Sequence, residues 1–147
     1  MAYLKNSDIM NEMGGMFMET AEMINQKIEA TGFIKQNHYQ VVEIQKGKVV
    51  MNAPLKEESL NPYQYAHGGF IFGLGDTAMG IAARTTGRNV VTLNASIQYL
   101  RPSVGKELRA EAEIIKEGKT ICYARCNMYD ENHKLTATMD ASYYYID

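Results

Sequence analysis

No stretch of this sequence reaches the roughly 18 uninterrupted apolar residues that a membrane span needs. The opening MAYLKNSDIM has no apolar core of the kind a signal peptide carries. The expectation is a soluble, cytoplasmic protein with no membrane partner. An excess of one charge is missing as well: 15 Lys and Arg stand against 17 Asp and Glu, a net charge of −2. That balance gives no electrostatic case for a nucleic-acid partner. Cysteine is scarce, with Cys122 and Cys126 alone. On one strand they would lie about 13 Å apart, too far for a disulfide. The three histidines, His38, His67 and His133, show no metal-ligand spacing, so no metal and no cofactor is expected. No Gly-x-Ser-x-Gly elbow or Ser-His-Asp arrangement is visible. No internal repeat or low-complexity linker divides the chain. Residues 1–147 therefore read as one domain, long enough for one good core.

What is present centres on Asn61 to Ala83, NPYQYAHGGFIFGLGDTAMGIAA. Asn-Pro favours a turn. After His67-Gly68-Gly69 comes an apolar run, Phe70, Ile71, Phe72, Leu74, Ala78, Met79, Ile81 and Ala82, with apolar residues on every face. That is the pattern of a buried helix, expected over 66–86. Gly73, Gly75 and Gly80 each lower its helix preference by about 1 kcal/mol. Packing must hold it, and the glycines admit close approach of another backbone. One carboxylate, Asp76, sits in this run. Burying it costs several kcal/mol without partners, and the nearest cation in sequence is Arg84, two turns on. It reads either as a structural Asp bonded to a neighbouring strand or as a catalytic group in a dry site. At the start of the helix the backbone N–H groups lack internal partners and face the positive end of the dipole. Gly68 leaves its N–H open to a ligand, as an oxyanion hole requires.

Before this helix, Ser7 is a plausible N-cap, and Met10, Met13, Phe17, Ala21, Ile24 and Ile28 form one amphipathic face. An N-terminal helix is expected over 1–32, ended by Thr31-Gly32. Tyr39–Ile44 and Lys48–Ala53 read as a hairpin around Lys46-Gly47, followed by a polar loop to Leu60. After the helix, Asn89–Leu100, Glu107–Lys116, Thr120–Asp130 and Lys134–Ile146 read as an antiparallel meander over 89–146. The segment Arg101–Lys106 reads as a plain turn in which Gly105→Asp leaves activity nearly untouched. Tyr143, Tyr144 and Tyr145 suit a sheet edge or a subunit contact. A curved sheet around one long helix is an α+β architecture.

Asn61, His67-Gly68-Gly69, Asp76 nine residues after the histidine, and VTLNASIQYLRP over 91–102 together resemble the hotdog-fold acyl-CoA thioesterases. The likeness is to the phenylacetate-degradation (PaaI-like) branch of the 4-hydroxybenzoyl-CoA thioesterase superfamily, and it covers roughly Gly47 to the C-terminus. The resemblance implies a hotdog fold, a long buried helix wrapped by a curved antiparallel sheet, here with an extra N-terminal helix. It implies protomers paired edge to edge, at least a dimer, with pairs stacked into a tetramer. It implies hydrolysis of an acyl-CoA substrate. Carried over by position, the Gly68 N–H binds the thioester carbonyl, and Asp76 is the nucleophile or the base that activates water. Thr92 orients the water or the carboxylate, Asn61 contacts the thioester oxygen or the water, and His67 with Gly69 shapes the site. Pro62-Tyr63 departs from the smaller residues many members have there. A cationic rim for the CoA phosphates is expected from among Arg84, Arg88, Arg101, Lys106 and Lys119, with Arg101 and Lys119 preferred.

Eight residues separate Gly68 from Asp76, about 12 Å along a helix, so a site using both is expected to span two subunits. Three other readings stay open. One is a hotdog dehydratase of hydroxyacyl thioesters. Another is an acyl-CoA sensor of the repressor kind, which the acidic N-terminal helix disfavours. The last is a catalytically silent acyl-CoA binding module.

Overall fold

The computed structural model describes residues 19–147. Two short helices come first, α1 (Ala21–Ile28) and α2 (Gly32–Gln36), then strands β1 (Gln40–Gln45) and β2 (Lys48–Pro54). A long helix α3 (Gly68–Arg84) follows, then β3 (Val90–Tyr99), β4 (Glu107–Glu117), β5 (Ile121–Tyr129) and β6 (Leu135–Tyr145). The six strands form one antiparallel sheet in the order β1-β2-β4-β5-β6-β3. Among the described residues, no helix is long and apolar enough to cross a membrane.

The core lies between α3 and one face of the sheet. Along β4, β5 and β6 alternate residues are buried, among them Leu108, Ala110, Cys122, Cys126, Met128 and Met139. The alternation follows the two-residue period of a strand with one face covered. The helix comes close to the sheet at Gly75, where an added Cβ would lie 2.7 Å from Met139 Sδ. Side chains, rather than a second backbone, fill the space that glycine leaves. Cys122 and Cys126 share β5, both buried and both free thiols.

The hairpin turn falls at Lys46-Gly47, with Gln45 opposite Lys48 and Gly47 at a φ of +76°. The central helix starts and ends two residues inside the expected span, capped by His67 and Thr85. Its burial is one-sided: Phe72, Gly73, Asp76, Thr77 and Gly80 form a half-covered stripe.

Three expectations need correction. The N-terminal helix is described only from Ala21, and Ser7, Met10, Met13 and Phe17 lie outside the described residues. Thr31-Gly32 does not end it. Helix α1 stops at Ile28, and extended Thr31 starts the separate helix α2. The four C-terminal strands are not a simple meander. Only β4-β5-β6 run in sequence, because β2 takes the free side of β4 and β3 pairs with β6 at the sheet edge. For the same reason the tyrosines are not at an edge. Strand β6 is interior, with Tyr143 and Tyr145 buried toward α3 and Tyr144 exposed on the other face.

The loop before β4 is more constrained than a plain turn. Gly105 has a φ of +99°, and a Cβ there would lie 2.6 Å from Glu131 Cδ. The Glu131 carboxylate accepts a hydrogen bond from Lys106 N at 2.9 Å. Gly105→Asp adds backbone strain, a clash and a like charge. We expect it to destabilise the fold by about 1–3 kcal/mol, read as a Tm several degrees lower. An unchanged Tm would show that Glu131 swings aside at no cost.

Candidate active site

Asp76 projects from the middle of α3 toward the strands beneath it. Thr92 on β3 and Tyr143 on β6 are register partners, so their side chains share one face of the sheet. Both hydroxyls reach the carboxylate. Thr92 Oγ1 donates to Asp76 Oδ1 at 2.8 Å. Tyr143 Oη lies 2.9 Å from the same Oδ1 and 2.9 Å from the Asp76 backbone carbonyl oxygen. A register shift between Thr92 and Asn94 bends β3 at this point, a device that re-aims a side chain. Burial, and then the negative charge of Asp76, pushes the Tyr143 phenol well above its ordinary range, so it stays a proton donor. Asp76 is half-buried. It is hydrogen-bonded to two neighbouring strands, and its partners there are hydroxyls rather than a cation.

Beside Asp76 opens a cavity of about 470 Å³. Ile24 and Ile28 of α1, Phe33 and Ile34 of α2, and Phe72 and Ile81 of α3 give it apolar walls. Thr92, Tyr143 and Gly69 also line it. Arg84 lines it too and is only 3% exposed, which removes it from any solvent-facing rim.

The N-terminus of α3 is built separately. Asn61 Oδ1 accepts from Tyr63 N at 2.9 Å and Tyr65 N at 3.1 Å, and Asn61 N donates to Tyr65 O at 2.8 Å. The Asn-Pro turn is therefore held by the asparagine's own carbonyl oxygen. Its side-chain NH₂ meets no acceptor among the described residues. His67 N donates to Ser59 O at 2.8 Å, and His67 Nδ1 accepts from Gly69 N at 2.9 Å. The histidine is the helix cap. The Gly69 N–H is thereby used internally, whereas no acceptor among the described residues meets the Gly68 N–H. Tyr99 Oη donates to Gly68 O at 2.7 Å and braces this first turn. Asn61, Gly68, Tyr99, exposed Arg101 and buried Ser103 line a second cavity of about 430 Å³.

Within one protomer the expected residues thus fall into two groups. Asp76 and Thr92 meet in one cavity, with Gly69 on its wall. Asn61, Gly68 and Arg101 meet in the other, with His67 behind Gly68. Lys119 joins neither. It is exposed in the β4–β5 turn beside the C-terminal end of α3, and its backbone oxygen accepts from Arg88 Nη1 at 2.8 Å. Arg88 itself binds two backbone carbonyls and stacks 3.8 Å from the Tyr145 ring centroid. That is a structural anchorage rather than a free phosphate contact. Among the described residues, no group of three His, Cys, Asp or Glu side chains is arranged to hold a metal. Sequence reasoning missed Tyr143 and Tyr99. Strand alternation puts Tyr143 on the face of β6 that it shares with Tyr145, but only the strand order brings it to Asp76.

A family model of the thioesterase superfamily matches residues 63–137, half of the chain. The chain is 32% identical over 80 residues to the acyl-coenzyme A thioesterase PaaI of Escherichia coli K12, spanning 54% of this chain and 57% of that protein. It superimposes on thioesterase HI1161 of Haemophilus influenzae with a TM-score of 0.82 at 21% identity, over 88% of this chain and 92% of that one, which speaks for the fold. It also superimposes on smu.793 of Streptococcus mutans UA159, solved bound to acetyl CoA, with a TM-score of 0.70 at 29% identity. There the overlap is 73% of this chain and 87% of that one.

Proposed function

The chain belongs to the thioesterase superfamily and has its hotdog fold, and on that premise we propose that it hydrolyses an acyl-coenzyme A thioester to the free acid and CoA. The observation that carries this reading is a carboxylate held by two hydroxyls at the wall of an apolar cavity. Asp76 is the nucleophile, or the base that takes a proton from the attacking water. Thr92 orients the carboxylate. The apolar cavity receives the acyl group. The Gly68 N–H and the Asn61 amide donate to the thioester oxygen as negative charge develops there. His67 supports them by capping the helix.

In this reading the two groups of residues come from different subunits. Strand β3 is at the sheet edge, with Val91, Leu93 and Tyr99 all exposed by 40% or more. An apolar edge of this length invites pairing with another strand. Two β3 strands running antiparallel about a two-fold axis near Ala95 and Ser96 set Thr92 of one copy close to Tyr99 of the other. The Asp76 cavity of each then faces the Gly68 cavity of its neighbour. Arg101 beside that cavity and Lys119 of the other copy, from the far end of α3, are the proposed phosphate contacts. The homodimer is the least that this requires, and a tetramer is compatible with it.

Thiol release from a small acyl-CoA panel of short, aromatic and medium-chain members tests the function. Free thiol and free acid should appear in equal amounts for at least one member. Water loss from a hydroxyacyl-CoA without thiol release would make the protein a dehydratase. Saturable binding with no turnover would make it a silent binding module.

A further inference from the structure

We infer that Tyr143 is a positioning residue that fixes which oxygen of Asp76 reacts, by holding Oδ1 and leaving Oδ2 to the cavity. The inference rests on the reading of Asp76 as the catalytic carboxylate. A carboxylate on a helix turns easily about its last torsion, because that torsion is broad and two-fold. Here both hydroxyl partners converge on one oxygen. Thr92 Oγ1 stands 2.8 Å and Tyr143 Oη 2.9 Å from Oδ1, while Oδ2 has no hydrogen-bond partner among the described residues. Oδ1 therefore has its lone-pair directions occupied, and Oδ2 keeps its own for a water proton or for direct attack.

The two hydroxyls are not equivalent. Thr92 is on the edge strand and exposed, whereas Tyr143 is on an interior strand and 1% exposed. The Tyr143 hydroxyl also lies 2.9 Å from the backbone carbonyl oxygen of Asp76, so it is referenced to the helix as well as to the side chain. A ring locked in the core gives the carboxylate a fixed partner. Its phenol is pushed upward by burial first and by Asp76 second, which keeps its proton in place across the working pH range. Nothing in the sequence marks this tyrosine out from Tyr145, which shares its face of β6.

Tyr143→Phe removes the hydroxyl and keeps the ring. We expect kcat to fall about 10- to 100-fold, the loss of one hydrogen bond to a charged group, with KM for acyl-CoA unchanged because the pocket walls are intact. Tyr145→Phe, two residues along the same strand and stacked on Arg88 instead, should leave kcat and KM at wild-type values. Thermal unfolding of both variants confirms that the comparison is between folded proteins. An unchanged kcat in Tyr143→Phe, an equal fall in Tyr145→Phe, or a rise in KM that accounts for the loss would each overturn the inference. Asp76→Asn run alongside separates the two levels. If it is inert while Tyr143→Phe is fully active, the positioning role alone fails. If it turns over normally, the catalytic reading fails and takes the inference with it.

Discussion

Asp76→Asn is expected to lower kcat by about 10²–10⁴ while the protein stays folded. The amide has the size of the carboxylate and keeps an oxygen that can accept from Thr92 and Tyr143. What it loses is the charge and the basic oxygen. A Tm near that of the wild type would separate this loss from unfolding, and wild-type turnover would remove Asp76 from the site. The same residue allows direct attack and activated water to be told apart. In single-turnover hydrolysis in heavy-oxygen water, direct attack passes label into the Asp76 carboxylate when the anhydride is hydrolysed at the aspartyl carbon. Activated water puts label only in the product acid.

The central helix was legible because everything that defines it is local. The turn at Asn61-Pro62, the cap at His67 and the apolar run to Ala83 lie within one stretch, and the structure places α3 at Gly68–Arg84. The strands were legible for the same reason, since alternation at Leu108, Ala110 and Ala112 is a property of neighbouring residues. Which strand lies beside which is not local. The chain between Tyr99 and Glu107 reads the same whether β3 pairs with β4 or crosses to β6, and only the crossing brings Thr92 opposite Tyr143. Asp76 stood out as a lone carboxylate in an apolar run, Gly68 by its place at the helix start and Asn61 through the family resemblance, yet the partners of Asp76 come from 16 and 67 residues away. Gly105 looked like an ordinary turn residue because the group that crowds it, Glu131, belongs to another hairpin. Helix α2 escaped notice because it has five residues, too few for a periodic pattern to show.

Mixing two crippled variants is expected to restore activity that neither has alone. The physical ground is distance. Gly68 and Asp76 are eight residues apart on α3, about 12 Å at 1.5 Å per residue. A thioester oxygen about 3 Å from the Gly68 N–H cannot place its carbon within reach of Asp76 on the same helix. The choice of variant at Asn61 matters. Alanine would remove the oxygen that accepts from Tyr63 N and Tyr65 N and would loosen the turn itself. Asn61→Asp keeps that oxygen, removes the NH₂ donor, and sets a negative charge where negative charge develops in the reaction. Asn61→Asp and Asp76→Asn should each lose most activity as homodimers. After co-refolding in equal amounts, about half of the dimers should be mixed, each with one doubly damaged site and one intact site. Around a quarter of all sites should then work, because only mixed dimers contain an intact one and each contains one of two. The recovered rate should appear with wild-type KM, since those sites are wild type in every residue. If each site were built within one chain, every site would carry one lesion and the mixture would stay as slow as its components. Silence from a sample whose mixed dimers are verified by mass would therefore defeat the shared site. It would send the search for the oxyanion donor back to the Asp76 cavity, where Gly69 is on the wall but its N–H is already given to His67.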